Sequence, residues 1–159
     1  MLELVACDDS DFAWMLGTGA SRLDLVLPPG GVDDRHTLEI IRGMHADIVR
    51  VHDRGTWMIV RNGEVVGLCG YKHSPFGGEV EIGFGVAVAR RRNGYASGAI
   101  AGLVKEANDD PLVDLLVART AIENFASQRA LHRNGFGKVG TEFDPGEGEL
   151  IRWSRVVSD

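Results

Sequence analysis

The stretch Glu79-Val-Glu-Ile-Gly-Phe-Gly-Val-Ala-Val88 runs directly into Arg90-Arg-Arg-Asn-Gly-Tyr-Ala96, and Ala96, Ile100, Leu103, Val104 and Ala107 then recur at helical spacing. An apolar run, Leu112–Ala118, follows the break at Asn108-Asp-Asp-Pro111. A strand, a helix and a second strand in that order predict a parallel pair joined by a right-handed crossover. The turn between the first strand and the helix is cationic and contains glycine. A helix start leaves backbone N–H groups without partners and carries partial positive charge, so it attracts an anion, and Gly94 lets the backbone approach closely. A phosphate is therefore expected there.

The rest of the chain supplies an antiparallel frame. Leu2–Ala6 reads as a first strand, and Ser10 as the cap of a brief helix carrying Phe12, Met15 and Leu16 on one face. Gly17–Gly31 is a glycine- and proline-rich loop with scope for disorder. A helix is expected from Asp34, with Leu38, Ile41, His45, Ile48 and His52 on one stripe. Trp57–Val60 and Val65–Tyr71 flank Asn62-Gly63, a strong hairpin signal. Ser74–Gly78 makes the next turn and Glu79–Val88 continues the meander. Asn124 caps a last helix that Gly135 stops, and strands Lys138–Phe143 and Glu149–Val156 close the chain around the turn at Asp144–Gly148.

Two of these segments carry a resemblance. Arg91-x-x-Gly94-x-Ala96 is similar to the signature that cradles the pyrophosphate of acetyl-coenzyme A in the GNAT superfamily of N-acetyltransferases. Asn124-Phe-Ala-Ser127, followed by Leu131 and Gly135-Phe136, resembles the same family's second motif, whose Asn reaches the pantetheine arm. The two occur in the family's order over Glu79–Phe136. Glu81-Ile-Gly-Phe84 and Gly94-Tyr-Ala96 bring the chain nearest the branch that includes the ribosomal-protein N-terminal acetyltransferases (RimJ/RimL-like).

The resemblance implies an α/β GNAT fold: a mixed, mostly antiparallel sheet with one splayed parallel strand pair flanked by helices, forming a single domain over residues 1–159. It implies acetyl-CoA as cosubstrate, an amine acceptor and transfer within a ternary complex. The turn residues Arg91, Arg92, Asn93, Gly94, Tyr95 and Ala96 would hold the pyrophosphate. A bulge in the strand before them would free N–H groups near Val86 or Val88, and Asn124 and Ser127 would meet the pantetheine arm. Glu81 is the candidate base, because an ammonium cannot attack a thioester. A strand glutamate paired with an arginine is the plainer reading, and Glu79 shares its face. Leu131 stands where many family members carry a proton-donating Tyr near the coenzyme sulfur, so the general acid is unassigned and Ser127 or Tyr95 are the nearest substitutes.

Composition excludes several other classes. A formal net charge of −6 disfavours nonspecific binding to nucleic acid or an anionic membrane. Cys7 and Cys69 form neither a disulfide framework nor a metal pair, and the chain shows no signal-like leader, which points to a soluble cytoplasmic protein. No metal is expected, because His45 and His52 stand about 10 Å apart along a helix. Gly83-Phe-Gly85 lacks the third glycine of a dinucleotide fingerprint. A homodimer is compatible with the chain. The alternatives are a GNAT module that binds acyl-CoA for regulation without catalysis, or a partner-binding domain without coenzyme.

Overall fold

The computed structural model describes residues 1–157. Its strands are β1 (Leu2–Ala6), β2 (Thr56–Arg61), β3 (Glu64–Tyr71), β4 (Glu79–Val86), β5 (Leu115–Ala121), β6 (Gly137–Asp144) and β7 (Gly148–Val156). The helices are α1 (Asp9–Met15), α2 (Arg35–Val49), α3 (Tyr95–Asn108) and α4 (Phe125–Arg133). The strands form one sheet in the order β1-β2-β3-β4-β5-β7-β6. Every pairing is antiparallel except β4 with β5. This is the expected mixed sheet, with α3 as the crossover.

Local chemistry explains most boundaries. Asn62 and Gly63 both take positive φ (50° and 77°), the geometry of a tight hairpin whose twist suits its strands. Asp8, and not Ser10, caps α1: its carboxylate accepts from the N–H groups of Ser10 and Asp11, while Asp11 bonds back to the N–H of Asp8. A carboxylate preceding the helix by one residue has two donors in reach, and Ser10 lies already inside the first turn. The loop after α1 is tied down, since Arg22 reaches Asp11 at 2.9 Å and Val26 bridges to Glu64. Helix α2 stops at Val49, so His52 leaves its stripe and its Nε2 lies 2.8 Å from Asp110 Oδ2. His45 stays on the helix, buried against Phe12, with burial holding its pKa below the ordinary imidazole value. The second parallel strand begins three residues later than expected, because Leu112 and Val113 belong to a turn held by Asp110.

Two cores divide the faces of the sheet. Ile100, Leu103 and Val104 of α3, with Ala130 and Leu131 of α4, bury against Ile82, Leu116 and Trp153 on one face. Phe12 and Leu38 of α1 and α2 pack on Met58, Val60, Val65 and Leu68 on the other. Helix α3 sits tight on β1, for a Cβ built at Gly98 or Gly102 would come 2.6 Å from Leu2 or Leu4. Gly102→Leu should therefore lower stability by about 1–3 kcal/mol through overpacking. A chemical denaturation midpoint that does not move would show that the helix can ride up at no cost.

Candidate active site

Strands β4 and β5 pair over only three positions, Glu79↔Leu115, Val80↔Leu116 and Glu81↔Val117. Beyond Glu81 they part. On its other edge β4 remains paired with β3, and the bonds Lys72 N–H to Glu81 O and Ala87 N–H to Val66 O bracket the ladder. In an antiparallel pair the backbone polar groups alternate sides, so Glu81, Gly83, Gly85 and Ala87 face β3 while Ile82, Phe84 and Val86 face the gap. Arg91 confirms the direction, since its Nε donates to Val86 O at 3.2 Å. The N–H groups of Phe84 and Val86 thus open into the cleft where the strands diverge.

No bulge is needed for this. The β3–β4 register runs without a shift from Ile82 to Val86, and the irregularity of this meander lies between Ile59 and Val60 at the β2–β3 pairing. Val88 is likewise not on the strand. Strand β4 ends at Val86, and Val88–Arg90 forms a single 3-10 turn in which Val88 is 78% exposed and stands away from the cleft. The chain must change direction before α3, and a strand continued to Val88 would carry it past the turn.

A groove of about 520 Å³ runs from this gap along the start of α3. Its walls include Val86, Arg91, Arg92, Gly94, Tyr95 and Ala96, with Asn124 and Ser127 across from them. Arg92 (φ 67°) and Gly94 (φ 75°) both curl the turn through the left-handed region. Gly94 is the N-cap of α3 and supplies no side-chain hydrogen bond, whereas Asp8, Asp34 and Asn124 cap the other helices with theirs. The first N–H groups of α3 are left for an anion. Asn93 does not line the groove; its Nδ2 donates to Arg90 O and Arg91 O and braces the turn from behind. Arg90 is also committed elsewhere, donating to both oxygens of Glu64 at 2.6 and 3.0 Å.

A second cavity, about 560 Å³, opens on the α2 side of the sheet. Val32, Ile41 and Met44 form one wall, Lys72 and Arg119 another, and Asp33 and Glu147 add carboxylates. Phe84, Gly85, Asn124 and Ser127 line both spaces, so groove and cavity meet where β4 leaves β5.

Glu81 lines neither space itself; it is held in an ion cluster by Lys72 and Arg119, which line the α2-side cavity. Its Oε2 accepts from Arg119 Nε at 3.0 Å and sits 3.2 Å from Lys72 Nζ, and the side chain is 14% exposed. Burial pushes its pKa up, but the Arg119 hydrogen bond and the Lys72 charge outweigh it and leave the carboxyl below the usual range. Glu79 faces the same way and pairs instead with Arg152 at 3.2 Å. Leu131 departs from expectation: it is fully buried in the core beneath α4 and does not approach the cleft. Burial also pushes the thiols of Cys69, which lines the cavity, and Cys7 far up, so neither supplies a thiolate nucleophile.

Sequence reasoning missed Phe84, Gly85 and the groove face of α4, formed by Ala126, Arg129, Ala130 and Arg133. The spacing of those four, i, i+3, i+4 and i+7, was a readable signal of one helix stripe.

The sequence model described as the acetyltransferase (GNAT) domain matches residues 3–137, and the chain belongs to that family. The uncharacterized N-acetyltransferase YjdG of Bacillus subtilis (strain 168) is 36% identical over 84 residues, covering 51% of this chain and 50% of that protein. The match thus spans about half the length of that relative. Among solved structures, the ribosomal-protein alpha-N-acetyltransferase RimL in complex with coenzyme A aligns over 98% of this chain and 94% of its own, with a TM-score of 0.72 at 19% identity. The aminoglycoside acetyltransferase AAC(6')-Ib in complex with coenzyme A aligns over 98% and 95%, with a TM-score of 0.69 at 15% identity. At these identities the structures share the fold.

Gly94→Val tests the groove. A Cβ at Gly94 meets nothing within 4 Å, but positive φ strains a β-branched residue. The variant should stay folded and lose coenzyme affinity by about tenfold or more as the turn relaxes away from the N–H groups. Calorimetry with acetyl-CoA reads it, and unchanged affinity would remove the turn from the binding site.

Proposed function

We propose that the protein is an acetyl-CoA-dependent N-acetyltransferase that moves an acetyl group to a primary amine of a small molecule or a protein N-terminus by direct attack within a ternary complex. The observation that carries this reading is the meeting of two separate spaces at one gap. A donor bound along the α3 groove and an acceptor entering from the α2 side would face each other at Phe84, Gly85, Asn124 and Ser127. A covalent acyl-enzyme is disfavoured because the cavity cysteine is held protonated. The cationic turn and uncapped start of α3 suit the pyrophosphate, and the N–H groups of Phe84 and Val86 suit the pantetheine arm and the thioester oxygen, where fixed donors are most useful. The shared fold with RimL supports, for this chain, the branch suggested by Glu81-Ile-Gly-Phe84.

Glu81 acts in this scheme through a water molecule. Two cations hold its carboxylate, so it stays ionised and orients a water; as nitrogen bonds to the thioester carbon that water takes the amine proton and gives one of its own to the carboxylate. The departing thiolate accepts a hydrogen bond from the Ser127 hydroxyl, which relays to it a proton from solvent; Ser127 lines both spaces and so stands closer to the junction than buried Leu131.

Free-thiol release from acetyl-CoA against amines, polyamines, aminoglycosides and peptide N-termini tests the activity, with intersecting double-reciprocal plots expected for a ternary complex. Absence of turnover with intact coenzyme binding would favour the regulatory module. Glu81→Gln should lower kcat by about a hundredfold while acetyl-CoA affinity holds. That loss should shrink as pH rises and free amine becomes abundant; a flat deficit across pH would reduce Glu81 to an ion-pair strut. Ser127→Ala at saturating acetyl-CoA should lower kcat by about tenfold or more, and a wild-type rate would assign the proton to solvent acting without Ser127.

A further inference from the structure

The α3 groove holds more positive charge than a pyrophosphate requires. Arg91 and Arg92 belong to the turn, and Arg129 and Arg133 enter from α4 on the opposite wall. No carboxylate side chain lines this groove, and among the described residues neither Arg129 nor Arg133 has an acidic partner within ion-pair distance. Arg90, the fifth guanidinium, is neutralised by Glu64. The contrast with the other cavity is sharp, because Lys72 and Arg119 there are both bound to Glu81. In a chain of net charge −6, four uncompensated arginines around one groove are a local inversion of sign.

Their arrangement divides them into two pairs. Arg91 and Arg92 flank the uncapped N–H groups of α3, where a pyrophosphate diester with about two negative charges is already served. Arg129 and Arg133 lie one turn apart on α4, and Ala126 and Ala130 on the same stripe keep the helix surface low beside them. Both arginines are exposed, so their guanidinium groups are free to close on a ligand. Arg133 sits in the last turn of α4, and Asn134 just beyond it donates to Ser97 O at 3.0 Å in the first turn of α3. That bond sets the α4 pair beside the end of the groove that receives the phosphates, away from the reacting gap.

We propose that Arg129 and Arg133 form a phosphomonoester subsite that takes the 3'-phosphate of the coenzyme's ribose and makes the enzyme discriminate coenzyme A from its dephosphorylated form. This rests on the coenzyme reading of the groove. A terminal monoester carries about two charges and three acceptor oxygens, which two guanidinium groups match in charge and in fork geometry. A diester pyrophosphate already bound by backbone N–H groups has no such need.

The experiment is calorimetric titration of the full chain with coenzyme A and with dephospho-coenzyme A, repeated on the double variant Arg129→Met, Arg133→Met. The wild type should bind coenzyme A at least about tenfold more tightly, the margin expected of charge-assisted bonds to a phosphate. In the double variant coenzyme A should fall to the dephospho level, while dephospho-coenzyme A binds as before and the melting temperature is unchanged. Equal wild-type affinity for both ligands would overturn the subsite and leave the coenzyme reading standing. So would a double variant that weakens both ligands alike, which would give the arginines to the pyrophosphate. Binding of neither ligand by the wild type would overturn the coenzyme reading and the subsite with it.

Discussion

The three-residue pairing of β4 with β5 is the constraint on which the site depends. A sheet that stayed closed would spend the N–H groups of Phe84 and Val86 on the neighbouring strand. Because β5 turns away after Val117, those groups are aimed into a gap while the other edge of β4 stays locked to β3. The free edge is therefore rigid as well as unpaired, and fixed donors cost little reorganisation when a ligand arrives. The α3 crossover then delivers a helix N-terminus beside that edge, and α4 closes the opposite wall.

Charge is sorted between the two spaces. The groove side has cations without carboxylates, which suits a polyanionic coenzyme. On the α2 side the cations are spent in the cluster of Glu81, Lys72 and Arg119, and the carboxylates of Asp33 and Glu147 remain at the wall. The boundary between them is narrow and made of Phe84, Gly85, Asn124 and Ser127. An overall acidic surface thus coexists with a strongly cationic groove, because net charge averages over a surface that the ligand never samples whole.

Motif residues whose role is backbone geometry were legible in the chain. Gly94, Asn62-Gly63, Asn124 and Gly135 each answer a local conformational demand, and each does in the structure what its type and position implied. Expectations that needed an element's end or a side-chain direction fared differently. Strand β4 stops two residues short of Val88, whose backbone N–H was the expected donor, Asn93 braces the turn from behind, and Leu131 packs inward beneath its helix. The spacing of Arg129 and Arg133 marks them as one helix stripe, but only the facing turn makes that stripe a groove wall.

The chain alone carried the order of elements, the antiparallel meander, the crossover and the location of the cationic turn before α3. These rest on periodicity, turn chemistry and helix capping, which act over a few residues and are written locally. The tertiary structure decided where β4 and β5 separate, which cations are spent on Glu81 and Glu64, and that the groove along α3 meets a cavity walled by α2. Those outcomes come from pairings between residues tens of positions apart, such as Arg119 with Glu81 and Asn134 with Ser97. No local pattern encodes such a pairing, because it exists only once the sheet has set the distance between its strands.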